Sequence, residues 1–423
     1  MEEAFLHPAW SFSTNIYEVN IRQYTREGTF AAFQKHLPRL RDMGVEILWF
    51  MPVTPISEKN RKGTLGSYYA VQDYTAVNPE FGRETDFAAL VSVAHQMGFK
   101  IIIDWVANHS GNDNVWMKDH PGFFCYDEAT KEVLHPHGWE DVSKLNFDDP
   151  ALQQAMIEAM RFWITTFDID GFRCDMAHLV PLQFWEKAKA DLQNTKELFW
   201  LAECEEPAYH AVFDATYTWK WMHATEEFYK KKINFESLLS VLKQYDIDFP
   251  ENAFRVYFTA NHDENSWNGT EYEKYGDAAK AFAVFSCTWN GIPMIYSGQE
   301  LPNHKRLKFF DKDNIDWEPN IALHHFYKTL MALRKRNQAL LAGDKNTHTQ
   351  ILSSSHDIFC FTRKNGTDEI LVILNFSSAQ QTIEINNMEG TFIEIFSLTT
   401  ISFNGPDFIE TRGWEYLVFE KEA

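Results

Sequence analysis

The sequence predicts an α/β fold: a (β/α)8 TIM barrel with a small subdomain inserted after its third strand and an antiparallel β domain at its C-terminal end. Three observations support this fold class. Short apolar runs alternate with amphipathic segments up to about residue 335, residues 107–146 lack helical periodicity, and short runs of alternating polarity follow residue 343. A doubly wound open sheet is the structural competitor, because a count of strands does not distinguish it from a barrel.

Eight of the apolar runs are typical of buried parallel strands, since each is short and bounded by polar or turn residues. They lie at residues 15–21, 45–51, 99–106, 169–176, 198–204, 210–216, 254–261 and 292–298. Amphipathic segments between them lie at residues 30–43, 85–97, 150–167 and 276–288. A helix between successive strands predicts parallel strands, as a barrel requires.

The pattern divides the chain into three units. Residues 1–106 and 147–342 are predicted to form the barrel, residues 107–146 the inserted subdomain, and residues 343–423 a C-terminal β-sandwich. An insertion of this length without periodic structure is usually functional. The strands of the C-terminal unit show no aromatic platform, so we interpret this unit as a shield for the barrel.

Composition excludes several classes of partner. The formal net charge of −21 argues against nucleic acid or an anionic membrane as the main partner, because like charges repel. No apolar run approaches the roughly 20 residues that span a bilayer, and the opening MEEAFLHPAWSFSTN lacks the apolar stretch of a secretory signal. We therefore expect a cytoplasmic protein, or a periplasmic or secreted one if a leader has been removed. The five scattered cysteines predict free thiols, and the sequence does not indicate the oligomeric state.

Charged residues occur at the ends of the predicted strands. In the segment GFRCD, Arg173 and Asp175 share one face of the strand, while Phe172 and Cys174 share the other. If the apolar pair packs under the outer helices, the charged pair faces the barrel axis at the end where barrels carry their chemistry. A buried ion pair with a structural role is the alternative for this motif taken alone.

The other strand ends favour the functional interpretation. The third predicted strand ends in DWVANH, which supplies Asp104, Asn108 and His109, the fifth ends at Glu203, and the seventh is followed by Asp263. Carboxylates at four strand ends therefore converge on one mouth of the barrel. Cleavage of a glycosidic bond needs such a group: one carboxylate as nucleophile, one protonated as acid, and a further charge that stabilises a cationic transition state.

Six segments resemble the characteristic segments of the α-amylase family, also called glycoside hydrolase family 13. They are SYYAVQDYTAVNPEFG (67–82), DWVANH (104–109), GFRCDMAH (171–178), LAEC (201–204), ANHD (260–263) and GIPMIYSGQE (291–300). Their order along the chain is that of the family, and the resemblance extends from residue 16 to residue 300. It implies a retaining glycoside hydrolase built on a TIM barrel.

The resemblance also implies roles for the matching residues. Asp175 is expected to be the nucleophile, Glu203 the general acid and base, and Asp263 the stabiliser of the transition state, with about 5 to 5.5 Å between the first two carboxyl groups. The expected substrate-binding residues are Tyr69, Asp73, His109, Arg173, His178 and His262, supported by Asp104 and Asn108. The charge of Arg173 beside Asp175 is expected to favour the ionised nucleophile.

For several aromatic residues near the predicted site, packing within the protein is an alternative to contact with the substrate. Tyr69 is expected to stack under the sugar ring, with ordinary core packing as the alternative. Trp139 and Trp267 lie in predicted mouth loops, where they either stack on sugars or pack against the protein. Glu205 is expected to border the leaving-group side together with His178.

No cofactor is expected for the chemistry, and a structural calcium ion is a candidate that the resemblance implies. Asn108 matches one of the family's calcium ligands, but no pattern selects among Asp113, Asp127 and Asp141 as a second. Leu179 stands where many calcium-binding members carry histidine. Because that ligand is a backbone carbonyl, the leucine does not exclude calcium.

The expected substrate is an α-1,4-linked glucan such as starch or maltodextrin. An α-glucosidase, a cyclomaltodextrinase or a glucanotransferase of the same family is the alternative, because these enzymes share the three carboxylates. A carbohydrate-binding homologue without activity would be expected to lack one of the three, and all are present here. Chain length, linkage preference and the choice between hydrolysis and transfer are left open.

Overall fold

Several strands in the first two thirds of the chain end at or near predicted site residues. The computed structural model describes residues 7–353, 357–386 and 388–422. The strands before residue 300 are β1 (Ile16–Val19), β2 (Ile47–Phe50), β3 (Lys100–Val106), β4 (His109–Gly111), β5 (Val142–Lys144), β6 (Gly171–Asp175), β7 (Phe199–Ala202), β8 (Ala215–Tyr217), β9 (Phe254–Tyr257) and β10 (Ile292–Tyr296). All except β4 and β5 form one closed parallel barrel in the order β1-β10-β9-β8-β7-β6-β3-β2. The closed barrel confirms the predicted fold class and excludes the open sheet.

Most of the helices connect the barrel strands and cover them from outside, whereas α5 lies in the insertion and α12 follows the last barrel strand. In chain order they are α1 (Ile21–Tyr24), α2 (Phe30–Gln34), α3 (Leu37–Met43), α4 (Glu84–Gln96), α5 (Trp116–Asp119), α6 (Pro150–Phe167), α7 (Leu182–Leu192), α8 (Trp219–Tyr229), α9 (Phe235–Asp248), α10 (Glu271–Tyr275), α11 (Ala279–Thr288) and α12 (His324–Arg336). The segment predicted as one helix at 30–43 is divided into α2 and α3. Pro38 lies in the first turn of α3, where its missing N–H breaks no helical hydrogen bond.

Helix α6 shows why its bounds agree with the predicted segment. The Asp149 side chain caps it by accepting a hydrogen bond from the backbone N–H of Ala151, and Pro150 opens the first turn. Its C-cap residue, Asp168, has a left-handed φ of 58° that ends the helix. Both signals are local, so they act before any tertiary contact forms.

The sixth predicted strand, at 210–216, is wrong in its bounds. The observed strand β8 covers Ala215–Tyr217, and Pro207–Ala211 form a short 3-10 helix. Val212 and Phe213 are buried in the core beneath the loop and are not part of the sheet. The apolar run at 210–216 therefore reflects buried residues outside the sheet and not a longer strand.

Strand β6 has the two faces that its sequence predicts. Phe172 and Cys174 belong to the core between the barrel and its helices. Arg173 points to the barrel axis, where its guanidinium carbon lies 4.8 Å from the centre of the Trp49 ring. Gly171 is required at this position because a Cβ atom would lie 2.0 Å from the Phe199 carbonyl oxygen on β7.

The insertion after β3 and the C-terminal unit are both antiparallel. Strands β4 and β5 pair within residues 107–146, next to the short helix α5. The later strands are β11 (His348–Ser353), β12 (Ile358–Asn365), β13 (Asp368–Asn375), β14 (Gln381–Ile385), β15 (Glu389–Glu394), β16 (Thr400–Asn404), β17 (Asp407–Thr411) and β18 (Tyr416–Lys421). They form a sheet in the order β11-β12-β13-β18-β15-β16 and a separate β14-β17 pair. Ile383 and Ile409 of that pair pack against the larger sheet. The division of the chain at residues 106, 146 and 342 stays a prediction.

Two expectations from composition concern the whole chain. Of the helices in the described ranges, none combines the length and the apolarity needed to cross a membrane. The five cysteines are free thiols, as predicted. The cytoplasmic location stays a prediction.

Candidate active site

A cavity of about 660 Å³ opens at the C-terminal ends of the barrel strands. The residues Asp175, Glu203 and Asp263 all line it, although they lie at or beyond the ends of three different strands. The C-terminal ends of parallel barrel strands share one mouth, which explains the convergence. The cavity volume lies in the range of pockets that bury small organic ligands.

Arg173 joins three carboxylates beneath the cavity. Its Nη1 atom lies 2.9 Å from Asp104 Oδ1 and 3.1 Å from Asp175 Oδ1, and its Nη2 atom lies 2.8 Å from Glu203 Oε1. The arginine side chain is fully buried. A buried guanidinium needs such partners, and in return it holds the carboxylates in one arrangement.

Glu203 is also held by the backbone that follows the nucleophile strand. Its Oε2 atom accepts a 2.8 Å hydrogen bond from the backbone N–H of Met176. Met176 has φ 41° and ψ 46°, a left-handed conformation that is unfavourable for a side chain of this kind. The turn thereby links the ends of β6 and β7, and Met176 is a positioning residue that the sequence did not indicate.

One carboxylate oxygen of Asp175, Oδ1, is paired with Arg173, and the other, Oδ2, is not paired with any described residue. The Oδ2 atom is buried and has no hydrogen-bond partner among the described residues. Burial and the neighbouring Glu203 carboxylate raise the pKa of Asp175 well above its usual range, against the lowering effect of Arg173. Arg173 thus favours the ionised form of Asp175, as expected, but in the free protein burial and the Glu203 carboxylate outweigh its effect.

His262 is a cation held between two carboxylates. Its Nδ1 atom lies 2.5 Å from Glu18 Oε1, and its Nε2 atom lies 3.3 Å from Asp263 Oδ2. Burial by itself lowers the pKa of His262, but Asp263 and Glu18 raise it to about 9. Glu18 was missed by the sequence analysis, although a glutamate inside the apolar run NIYEVNI was a usable signal.

Tyr69 lies on the cavity floor beside this cation. Its hydroxyl group is 2.7 Å from His262 Nε2 and donates to Asp104 Oδ2 at 3.1 Å. Its ring is stacked at 18° to the ring of Phe309, with 6.2 Å between their centres. The hydroxyl contacts fix the ring in place, and the ring lines the cavity.

His109 differs from His262 in charge. Burial lowers the pKa of His109 to about 4, so the ring is neutral at pH 7. The Asn108 amide nitrogen lies 3.1 Å from His109 Nδ1. An amide donor at Nδ1 places the ring proton on Nε2, which makes that atom a hydrogen-bond donor.

The remaining predicted site residues divide into two groups. His178, Glu205, Trp139 and Trp267 line the cavity. Asp73 is not among the lining residues, and its carboxylate accepts hydrogen bonds from the backbone N–H and hydroxyl of Thr75 in a local turn. The expected substrate contact of Asp73 stays a prediction. Further cavity residues that the sequence analysis did not select are Lys62, Met176, Glu206, Trp219, Phe309 and Phe310.

The candidate calcium ligands are engaged with donors of the protein. Asp141 Oδ1 lies 2.6 Å from Lys62 Nζ, and Asp113 Oδ2 accepts from the backbone N–H of Glu58 at 2.9 Å. Asp127 accepts from backbone groups of its own turn. Within the described ranges, no cluster of three or more acidic, histidine or cysteine side chains is suited to a metal ion. The residues around Asn108 therefore do not fit a calcium ion, which needs six to eight oxygen ligands.

Comparison with known proteins agrees with this geometry. The family model described as alpha amylase, catalytic domain, matches residues 13–123 and 121–319. The alpha-amylase MalA of Haloarcula japonica is 26% identical over 396 residues, which cover 89% of this chain and 57% of MalA. A cyclomaltodextrinase of Thermoanaerobacter pseudethanolicus is 24% identical over 456 residues, covering 92% of this chain and 74% of the relative.

A solved structure is similar over almost the whole chain. The noncanonic maltogenic alpha-amylase AmyB of Thermotoga neapolitana is 27% identical, with a TM-score of 0.89, and the match covers 98% of this chain and 99% of AmyB. The chain spans little more than half the length of MalA, but the family model covers most of the barrel described above. The protein belongs to the alpha-amylase family of glycoside hydrolases.

Proposed function

We propose that this protein hydrolyses α-1,4-glucosidic bonds in starch, maltodextrin or related α-glucans, with retention of the anomeric configuration. One observation carries the proposal: Asp175 and Glu203 bind the same guanidinium, and both residues line the cavity. Two carboxylates on one arginine favour the short separation of retaining enzymes over the wider separation that leaves room for an inverting water.

In the first step, Asp175 attacks the anomeric carbon and forms a covalent glycosyl ester. The bond from that carbon to the glycosidic oxygen breaks, and Glu203 donates its proton to the departing oxygen. This step requires one proton on the Asp175–Glu203 pair. Because the charge of Glu203 raises the pKa of Asp175, protonation of Glu203 relieves the repulsion and favours the ionised nucleophile.

In the second step, Glu203 acts as base. It removes a proton from water, the water oxygen attacks the anomeric carbon, and the ester bond to Asp175 breaks. Each of the two steps inverts the configuration at the anomeric carbon, so the two steps together retain it. Arg173 stays bound to both carboxylates as charge moves between them, so no solvent reorganisation is needed at this point.

The surrounding residues act on the sugar. Asp263 is the proposed stabiliser of positive charge, and the His262 cation holds it by an ion pair. Tyr69 offers its ring face to the sugar, and the neutral His109 donates a hydrogen bond from Nε2 to a hydroxyl group. None of these steps needs a metal ion.

The α-glucan class rests on family membership and on the names of the relatives. A relative is named cyclomaltodextrinase and the similar structure is named a maltogenic alpha-amylase, so both names point to α-linked glucose. An α-glucosidase, cyclomaltodextrinase or glucanotransferase would use the same carboxylates. The products distinguish these alternatives.

The first test is a product time course. Soluble starch, maltoheptaose, α-cyclodextrin and isomaltose are incubated with the protein, and the products are separated by chromatography. Maltooligosaccharides are expected from soluble starch and maltoheptaose, with their new reducing ends in the α configuration by NMR. The matched variants Glu203→Gln and Asp175→Asn keep side-chain shape and should lower kcat/KM about a thousandfold or more.

Other results would change the assignment. Products longer than the substrate indicate a transferase, and glucose alone indicates an α-glucosidase. Full activity of Asp175→Asn, or products in the β configuration, would refute the proposed mechanism. Turnover of isomaltose alone would refute the α-1,4 preference.

A further inference from the structure

The loop of residues 57–66, which we call the bridging loop, follows β2 and reaches the cavity through Lys62. It contacts the inserted subdomain on one side. Lys62 Nζ lies 2.6 Å from Asp141 Oδ1, and the Asn60 amide donates to the Glu140 carbonyl at 3.2 Å. The backbone N–H of Glu58 donates to Asp113. The subdomain and the bridging loop thus form one continuous wall.

On its other side the bridging loop contacts the segment that follows β10. The backbone N–H of Leu65 donates to the Phe310 carbonyl at 2.9 Å. The backbone N–H and hydroxyl of Thr64 both donate to Asp311 Oδ1, at 2.8 and 2.7 Å. Gly63 has φ 63°, and a Cβ atom there would lie 2.5 Å from Phe310 Cβ. The two segments therefore pack backbone to backbone.

Aromatic rings continue this wall to the cavity floor. The ring of Phe309 lies 5.1 Å from that of Phe310 and is stacked on Tyr69. Trp267 lies 5.4 Å from Phe309 at the rim. The loops after β2, β3 and β10 are thus joined without a break around one half of the mouth.

The other half of the mouth carries the proton donor. It is formed by segments after β6, β7 and β8, which contribute His178, Glu205 and Trp219 next to Glu203. Glu203 must lie beside the departing oxygen, so the leaving part of the substrate extends over this half. The retained part, with its non-reducing end, must extend toward the bridging loop.

We infer that the bridging loop closes the non-reducing-end side of the cavity, so that the protein acts on chain ends and short α-glucans and not within long chains. This inference rests on the proposed function. A chain that continued past the cavity would have to pass through the wall formed by residues 57–66 and their partners. Only a non-reducing end that fits inside the cavity can be bound.

The test compares two maltoheptaosides that differ at one end. One has a free non-reducing end, and the other carries a 4,6-O-ethylidene acetal on its terminal glucose. We expect the blocked compound to be cleaved about 100-fold more slowly, within the range of discrimination that pocket contacts provide. Equal rates would overturn the inference and leave the proposed function intact. No cleavage of either compound would refute the proposed function itself.

Two variants open the wall from opposite sides. Asp311→Ala removes both bonds to Thr64, and Lys62→Ala removes the ion pair with Asp141. In the double variant, we expect the rate on the blocked compound, relative to the free one, to rise about tenfold or more. The control is Lys59→Ala, which removes an equal charge from an exposed side chain of the same loop. A rise in the control as large as in the double variant, or no rise in the double variant, would contradict the inference.

Discussion

His109 and His262 are both buried, and burial lowers the pKa of each, but they differ in charge. His109 has the Asn108 amide at its Nδ1 atom, and burial lowers its pKa to about 4. His262 has a carboxylate at each nitrogen, and these raise its pKa to about 9 against the effect of burial. At pH 7 the site therefore contains a neutral donor and a fixed cation, although the two histidines look alike in the sequence.

The ion pair between His262 and Glu18 should make stability depend on pH. The pKa of His262 is raised in the folded protein from 6.5 to about 9. The proton is bound more tightly in the folded state, so its stabilisation is complete below pH 6.5 and is lost as the pH rises to about 9. The loss is on the order of 2–3 kcal/mol.

Urea unfolding at several pH values measures this dependence. In Glu18→Gln, the loss of unfolding free energy between the two pH values should be smaller, because one of the two carboxylates that raise the pKa is removed. The control Glu158→Gln changes an exposed carboxylate on α6 and should keep the wild-type dependence. Identical pH profiles for Glu18→Gln and the wild type would show that His262 is not held as a cation by this pair.

Among the elements, those with local signals could be predicted and those set by distant contacts could not. The N-terminal bound of α6 could be predicted from Pro150 and from the cap residue Asp149. The C-terminal ends of the barrel strands could be predicted from the polar residues that follow each apolar run. Strands β16 and β17 have only a weak sequence signal because few of their side chains are buried. The bridging loop has no regular periodicity, and its place depends on partners as far along the chain as Asp311.

The site residues also divide into those with a local sequence signal and those that depend on contacts distant in the sequence. Asp175 and Glu203 could be selected because they lie at or directly after a strand end, and Asp263 because it follows the apolar run that contains β9. Asp73 was assigned by resemblance, which carries no information on the hydrogen bonds within its turn. Glu18 was overlooked because its buried partner, His262, is distant in the sequence.

The inserted subdomain should be insensitive to removal of calcium. The Lys62 ammonium group already supplies a positive charge to Asp141 at 2.6 Å. A divalent ion at this carboxylate would have to displace that group, at a cost in electrostatic energy. We therefore expect the melting temperature to differ by less than about 1 °C between a chelator and millimolar calcium, whereas a calcium site occupied at 100 times its Kd would contribute about 2.7 kcal/mol.

Differential scanning fluorimetry with EDTA and with calcium chloride measures this difference. Magnesium chloride at equal ionic strength is the control for general salt effects, since the ion pair is partly exposed. A rise of several degrees with calcium but not with magnesium would show that a calcium site exists in spite of the ion pair.

At the scale of the whole molecule, the C-terminal unit shares a core with the barrel. Phe359 is fully buried, and its ring lies 5.4 Å from that of Trp289 and 5.9 Å from that of Phe285 on α11. The buried Arg363 donates to the Trp289 carbonyl at 2.9 Å and to the Leu341 carbonyl at 3.1 Å. The interface is apolar and hydrogen-bonded, which favours the interpretation of the C-terminal unit as a shield over direct use in binding.

A shared core implies that the two units unfold together. Phe359→Ala would leave a cavity between them, with an expected cost of about 3–5 kcal/mol. The calorimetric transition and the temperature of half-inactivation should therefore fall by the same amount, because loss of the interface exposes α11 and with it the barrel. The matched control is Phe408→Ala on β17, whose side chain is 65% exposed and whose removal should cost less than about 0.5 kcal/mol. If Phe359→Ala instead produced two separate transitions, with activity retained through the first, the units would be independent and the C-terminal unit would not support the active site.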